Sequence, residues 1–355
     1  MAVNRPDIKK MKSAVCASFM ILGCCTMFGC LEGEKKPDVT KVDIELQTRR
    51  LDIDLAQIDT NDVASGLRQL KQKYPDFLDF YLDTLMGFGV LGKYDNANPA
   101  ISSGLRSFLT HSDIRGLFDT VIHHFPNTTK TNEELEKGFQ YLKHYYPAFE
   151  VPKIVYLTSG LNQWAAFTYD STIVGIGLDM FLGTQYPFYE AVQMPAYVIR
   201  KCSREYISAN VFQAIYRDRH PFVMEGRTLL DMMLQRGKEQ YFLSKIIPFA
   251  DDTIRLGYTK EQLEWCVASE AQVYNFFIRD NLLYETNWQK ILRYVNDGPN
   301  STGMPAESPG NIGTWLGLQI VTAYVKQHPE ISLQELLAQE TDTQTFLRES
   351  KYKPK

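Results

Sequence analysis

Residues 153–179 read KIVYLTSGLNQWAAFTYDSTIVGIGLD. Here the apolar pattern takes a period of two. KIVYLT (Lys153–Thr158), AAFTYD (Ala165–Asp170) and TIVGIGLD (Thr172–Asp179) are short, rich in β-branched and aromatic side chains, and bounded by turn residues. Almost nothing separates the last two, so they read as a hairpin turning at Asp170-Ser171. The chain on both sides has helical spacing instead. The fold class that follows is α+β, predominantly helical, with one small three-stranded sheet near residues 153–179.

Upstream, VASGLRQLKQKYPDFLDFYLDTLMG is apolar at helical spacing and is broken in two by Pro75. SGLRSFLTHSDIRGLFDTVIHHF continues in shorter helical pieces, and Thr131 with Glu134 reads as a capping box opening NEELEKGFQYLKHYYP. Downstream, Leu230, Met233, Leu234, Gly237 and Tyr241 share one helical face. Thr259 with Gln262 forms a second capping pair, stapled by Tyr258 and Leu263. Ser332 with Glu335 caps the last clear helix. Between them, residues 296–311, NDGPNSTGMPAESPGN, make a long loop. Gly313 and Gly317 lie one above the other on IGTWLGLQIVTAYV, a smooth stripe for close packing. This organisation suits a single domain over residues 45–355, or two packed lobes at about 45–150 and 151–355.

The N-terminus has a different character. Lys9, Lys10 and Lys12 precede the apolar run SAVCASFMILGCCTMFG, which is short and dilute for a bilayer span of about 20 residues. It ends at Gly29-Cys30, placed as in the cleavage box of bacterial lipoproteins, and the polar segment LEGEKKPD follows. The expectation is a signal peptide at 1–29, acyl chains on Cys30 and a polar tether over 30–44. Ile21-Leu22-Gly23-Cys24 offers Cys24 as the alternative lipidation site. The mature chain would then be held to a membrane of the cell envelope by lipid, the outer membrane favoured over the inner.

A mildly acidic formal charge of −4 argues against a nucleic-acid partner, since phosphate neutralisation needs a basic face. Of the six cysteines, only Cys202 and Cys266 lie beyond the leader, and they read as two buried thiols. A small sheet followed by two long helices is the order used by zincin peptidases, which carry H-E-x-x-H on the first helix. The histidines are His111, His123, His124, His144, His220 and His328, and no two are four apart. The corresponding helix, SANVFQAIYRDRH, offers only His220. No G-x-S-x-G elbow, P-loop or paired C-x-x-C replaces it. Asp170 and Asp179 fit turn and cap roles, and His123-His124 a helix end. Trp164, Trp265, Trp288 and Trp315 read as core residues, with sugar stacking as their other use. No catalytic residue, metal ligand or cofactor site is expected.

RLDIDL near the start, GIGLDMFLG, LLDMMLQRGKEQYF, GNIGTWLGLQIVTAYVKQHPEISLQELLAQ and the terminal SKYKPK together resemble the gliding motility lipoprotein GldB family of the Bacteroidetes. That family is similar in turn to zinc peptidases with a zincin helix and a later E-G-x-A-x-Y segment. Here the segment reads Arg236-Gly237-Lys238-Glu239-Gln240-Tyr241, with arginine in place of the first glutamate. The resemblance implies a zincin-like fold without catalytic metal. It also implies an envelope role in gliding or linked protein secretion, exercised through envelope proteins of that machinery. The alternatives are a divergent hydrolase with an unrecognised site and a glycan-binding envelope lipoprotein.

Overall fold

A computed structural model describes residues 36–162, 165–221, 226–340 and 342–355. Cys24, Cys30 and Trp164 lie outside these residues. Residues 39–355 form one compact unit. Packing begins ahead of Ile44, since Val39 is buried and Gln140 Nε2 donates to the Val42 carbonyl at 3.1 Å.

Among the described residues the sheet has four strands rather than the expected three: β1 Thr48–Arg50, β2 Lys153–Leu157, β3 Ala166–Tyr169 and β4 Ile173–Gly177, in the order β1-β2-β4-β3. β1 and β4 run parallel to β2, and β3 pairs antiparallel with β4. The hairpin turns where the sequence places it, with Asp170 and Ser171 both at positive φ. The extra strand, TRR, carries no apolar alternation. It exists because the open edge of β2 supplies partners, beginning with Ile154 N–H donating to Gln47 O at 2.8 Å.

The sheet is a wall between two hydrophobic cores. Ile154, Tyr156, Val174 and Ile176 face one, and Val155, Leu157 and Phe167 face the other. Alternation along β2 and β4 therefore sorts residues between two buried sides, which explains the nearly unbroken apolar runs. The Phe167 ring lies over Gly175, where a Cβ would meet it at 2.2 Å. The second core is built from the crossover that joins β1 to β2: helices α1 Leu51–Ala56 and α2 Val63–Lys73, two π-helical segments, and part of α3 Ser112–His124. Pro75 does separate α2 from the helix that begins at Phe77.

Helix α4, Thr129–Tyr145, corrects the Thr131–Glu134 capping box. It starts three residues earlier, so Thr131 is buried inside it, while Glu134 pairs with Arg204 at 3.1 Å. The first core is completed by α5 Ile207–Arg219, α6 Leu229–Ile246, α7 Trp288–Val295 and α8 Ile312–Gln327, with the shorter C-terminal helices. Thr259 and Ser332 are N-caps with reciprocal side-chain bonds, as expected, and Thr228 with Asp231 caps α6 in the same manner. α6 is buried nearly all round rather than on one stripe. It crosses α8 so closely that a Cβ on Gly237 would lie 2.3 Å from the Gly317 carbonyl carbon. Only glycines permit that approach.

Candidate functional site

The two helices after the sheet face each other with polar edges. On α5 the apolar positions Val211, Phe212, Ile215 and Tyr216 point into the core, which leaves Asn210, Gln213 and Arg217 at i, i+3 and i+7 along one edge. On α6, Arg236 stands one turn before Glu239 and Gln240. Glu239 is only 2% exposed. Its Oε1 accepts from Gln213 Nε2 at 2.5 Å and from an Arg217 terminal nitrogen at 2.9 Å, while Oε2 accepts from Arg236 at 2.9 Å and Arg217 Nε at 3.3 Å. Both carboxylate oxygens are thus engaged by charged donors, the arrangement that makes a buried carboxylate tolerable.

This cluster floors a cleft of about 540 Å³. Lys201, Arg255, Asp297 and Asn311 line it as well. Lys201 is paired with Asp297, and Arg255 with Asp252. Gln240 also lines the cleft; it is 5% exposed, and no donor among the described residues reaches its buried Oε1. A second cavity of about 630 Å³ opens on the other side of α6, lined by Arg219, His220, Arg227, Lys238 and Phe346. There the Lys238 ammonium donates to the Gln339 carbonyl at 3.0 Å and stands over the Phe346 ring, and burial lowers its pKa to about 8. Burial, with Arg219 and Lys238 nearby, also holds the His220 imidazole below its usual pKa.

Other residues singled out in the sequence fall elsewhere. Arg236 and Lys238, two positions apart, look into different cavities, so only Arg236 belongs to the Glu239 cluster. Asp179 is fully buried, and its carboxylate accepts from Ser159 N–H at 2.8 Å, Ser159 Oγ at 2.9 Å and Leu161 N–H at 2.7 Å, tying the loop after β2 to the end of β4. Burial raises its pKa against the pull of those donors. Asp170 occupies the hairpin turn, and His123-His124 are exposed at the end of α3. Cys202 and Cys266 are free and buried. Trp315 is core, and Trp265 and Trp288 are part-buried against it, so no exposed tryptophan face forms among the described residues. Also among the described residues, no group of three His, Cys, Asp or Glu side chains is placed to hold a metal, and no helix is long and apolar enough to cross a membrane.

The family model described as gliding motility protein GldB matches residues 32–354. This chain belongs to that family. The GldB family associates it with gliding motility. No curated protein and no solved structure matches it, so the likeness to zincin peptidases has no structural neighbour behind it. The Glu239 cluster went unread in the GldB-family sequence because its partners come from two helices. The available signal was polar residues recurring at 210, 213 and 217, and again at 236, 239 and 240, inside otherwise apolar helices.

Proposed function

We propose that the chain is a lipid-anchored envelope protein, zincin-like in ancestry, that serves the gliding machinery or its linked protein secretion by binding other proteins rather than by catalysis. The anchor rests on the basic, apolar and Gly29-Cys30 sequence and on the lipoprotein label of the family. The non-catalytic reading rests on one observation: the Glu239 cluster. Where the resemblance would seat a dication and a free general base, two guanidiniums and an amide surround a single saturated carboxylate. Those residues do not fit zinc. A metal site needs several lone-pair donors converging on one point, and arginine has none to give.

Mild crosslinking in cells followed by purification is expected to recover envelope proteins at a fixed ratio. The N-terminal peptide is expected to begin at a lipidated Cys30. Protein prepared without chelator should contain no stoichiometric zinc and leave peptides uncleaved. About one zinc per chain, lost on chelation together with peptidase activity, would mean that the chain is an enzyme.

A further inference from the structure

The α5–α6 cleft has an electrostatic imbalance that its own residues leave open. Lys201 is matched by Asp297, and Arg255 by Asp252. Among the described residues, however, Arg217 and Arg236 share the one carboxylate of Glu239, which leaves one positive charge uncompensated there. Arg217 keeps half of its side chain exposed while bound to Glu239, which leaves part of its donor fork free. Gln240 lines the same cleft, and its Oε1, shut off from solvent, has no hydrogen-bond partner among the described residues. An unpaired buried acceptor is destabilising, and each such group in a native protein calls for an explanation.

We infer that this cleft binds the carboxyl terminus of a peptide, with the carboxylate on the Arg217–Arg236 pair and a backbone N–H of the ligand donated to Gln240 Oε1 as that side chain turns to present it. A chain end offers both groups within a few bonds: one negative charge for one surplus positive charge, and a donor for the open acceptor. Phosphate would bring an excess of charge and no N–H. The walls, with Asn210, Asn296, Asn311 and Thr314, are polar enough to pair with further peptide groups. A volume of about 540 Å³ suits a short chain end rather than a folded surface. The inference deepens the non-catalytic reading by giving the same cluster a ligand, and it stands whether or not Cys30 is acylated.

The test is calorimetric titration of the full chain in mild detergent with an N-acetyl dipeptide as the free acid and as its carboxamide. The acid is expected to bind at least tenfold more tightly than the amide. Arg217→Met should remove that preference, with the amide unaffected, whereas Gln240→Met should weaken acid and amide alike. Circular dichroism confirms that each variant is folded. If neither folds, the acid-to-amide ratio on the unmodified chain still decides. Equal binding of the two probes, or no binding of the acid, overturns the inference. So does inorganic phosphate or acetate binding as tightly as the dipeptide acid, which would make the cleft a site for free anions. The probe is recovered after titration: cleavage would sink the non-catalytic reading and leave the binding result standing.

Discussion

Gly317→Ala is the smallest change that tests the helix crossing on which the first core is built. The added methyl carbon would lie 1.8 Å from the Met233 carbonyl oxygen and 2.5 Å from its carbon. A carbon rests no closer to such an oxygen than about 3.3 Å, so α6 and α8 must part by roughly 1.5 Å. Both obstacles are backbone, and no rotamer change relieves them. Gaps of 0.5–1 Å already forfeit about a quarter to a half of each affected van der Waals contact. The buried neighbours Met233, Leu234, Leu316 and Ile320 all lie on this pair of helices. Overpacking of this kind costs about 1–3 kcal/mol or more, and the helix gains about 1 kcal/mol from losing glycine. With backbone as the obstacle at 1.8 Å the cost lies at the upper end, so the expected net loss is about 2 kcal/mol, read as a lower denaturation midpoint with unchanged slope in urea at 25 °C. Gly116 supplies the control. It sits within α3 with nothing inside 4 Å of its would-be Cβ, so Gly116→Ala should stabilise by about 0.5–1 kcal/mol. If Gly317→Ala matches Gly116→Ala in sign, the close crossing is wrong.

Glu239→Ala should destabilise by about 3 kcal/mol, the low end for a broken buried pair because half-exposed Arg217 can rehydrate; an unchanged melt would show that the cluster is open to water. Lys238 is charged in both states below pH 8 but neutral only in the folded state between about 8 and 10.4, so its contribution to stability rises with pH across that window. Lys238→Met lacks this contribution, and the difference in unfolding free energy should therefore shift toward the unmodified chain between pH 7 and pH 10; parallel curves would contradict the burial of the amine. Burial pushes the Cys202 thiol up to about 11 and that of Cys266 up to about 12, so mass-spectrometric mapping should find both unlabelled by a thiol reagent at pH 8 until denaturant is added.

Strands β2, β3 and β4 were legible in the sequence because β-branched and aromatic residues lie between turn signals over lengths typical of strands. β1 was hidden, since Thr48, Arg49 and Arg50 hold their conformation only through a strand a hundred residues away. Caps at Thr259 and Ser332 were legible because their bonds are local. The same pattern misled at Thr131, where burial of the threonine outweighed its capping preference. Gly313 and Gly317 showed that something must approach α8, and only the fold shows Tyr294, Met233 and Gly237 there. The candidate site was least legible of all. Arg217 and Glu239 meet through the packing of two helices, and an arginine paired with a buried carboxylate has the same sequence signature as one in water.

The wall between the two cores also fixes the order of events in time. β1 leaves first, whether the chain emerges from a ribosome or a translocation channel, yet β2 and β4 follow only after the whole crossover has appeared. At about 5–20 residues per second, the hundred or so residues from Leu51 to Leu157 take roughly 5–20 s to synthesise. Through that interval Leu51, Leu67, Phe77 and Leu82 have no sheet to cover them. The N-terminal helices are thus obliged to wait for their own floor, and any factor that shields a nascent segment of this chain has its work concentrated there.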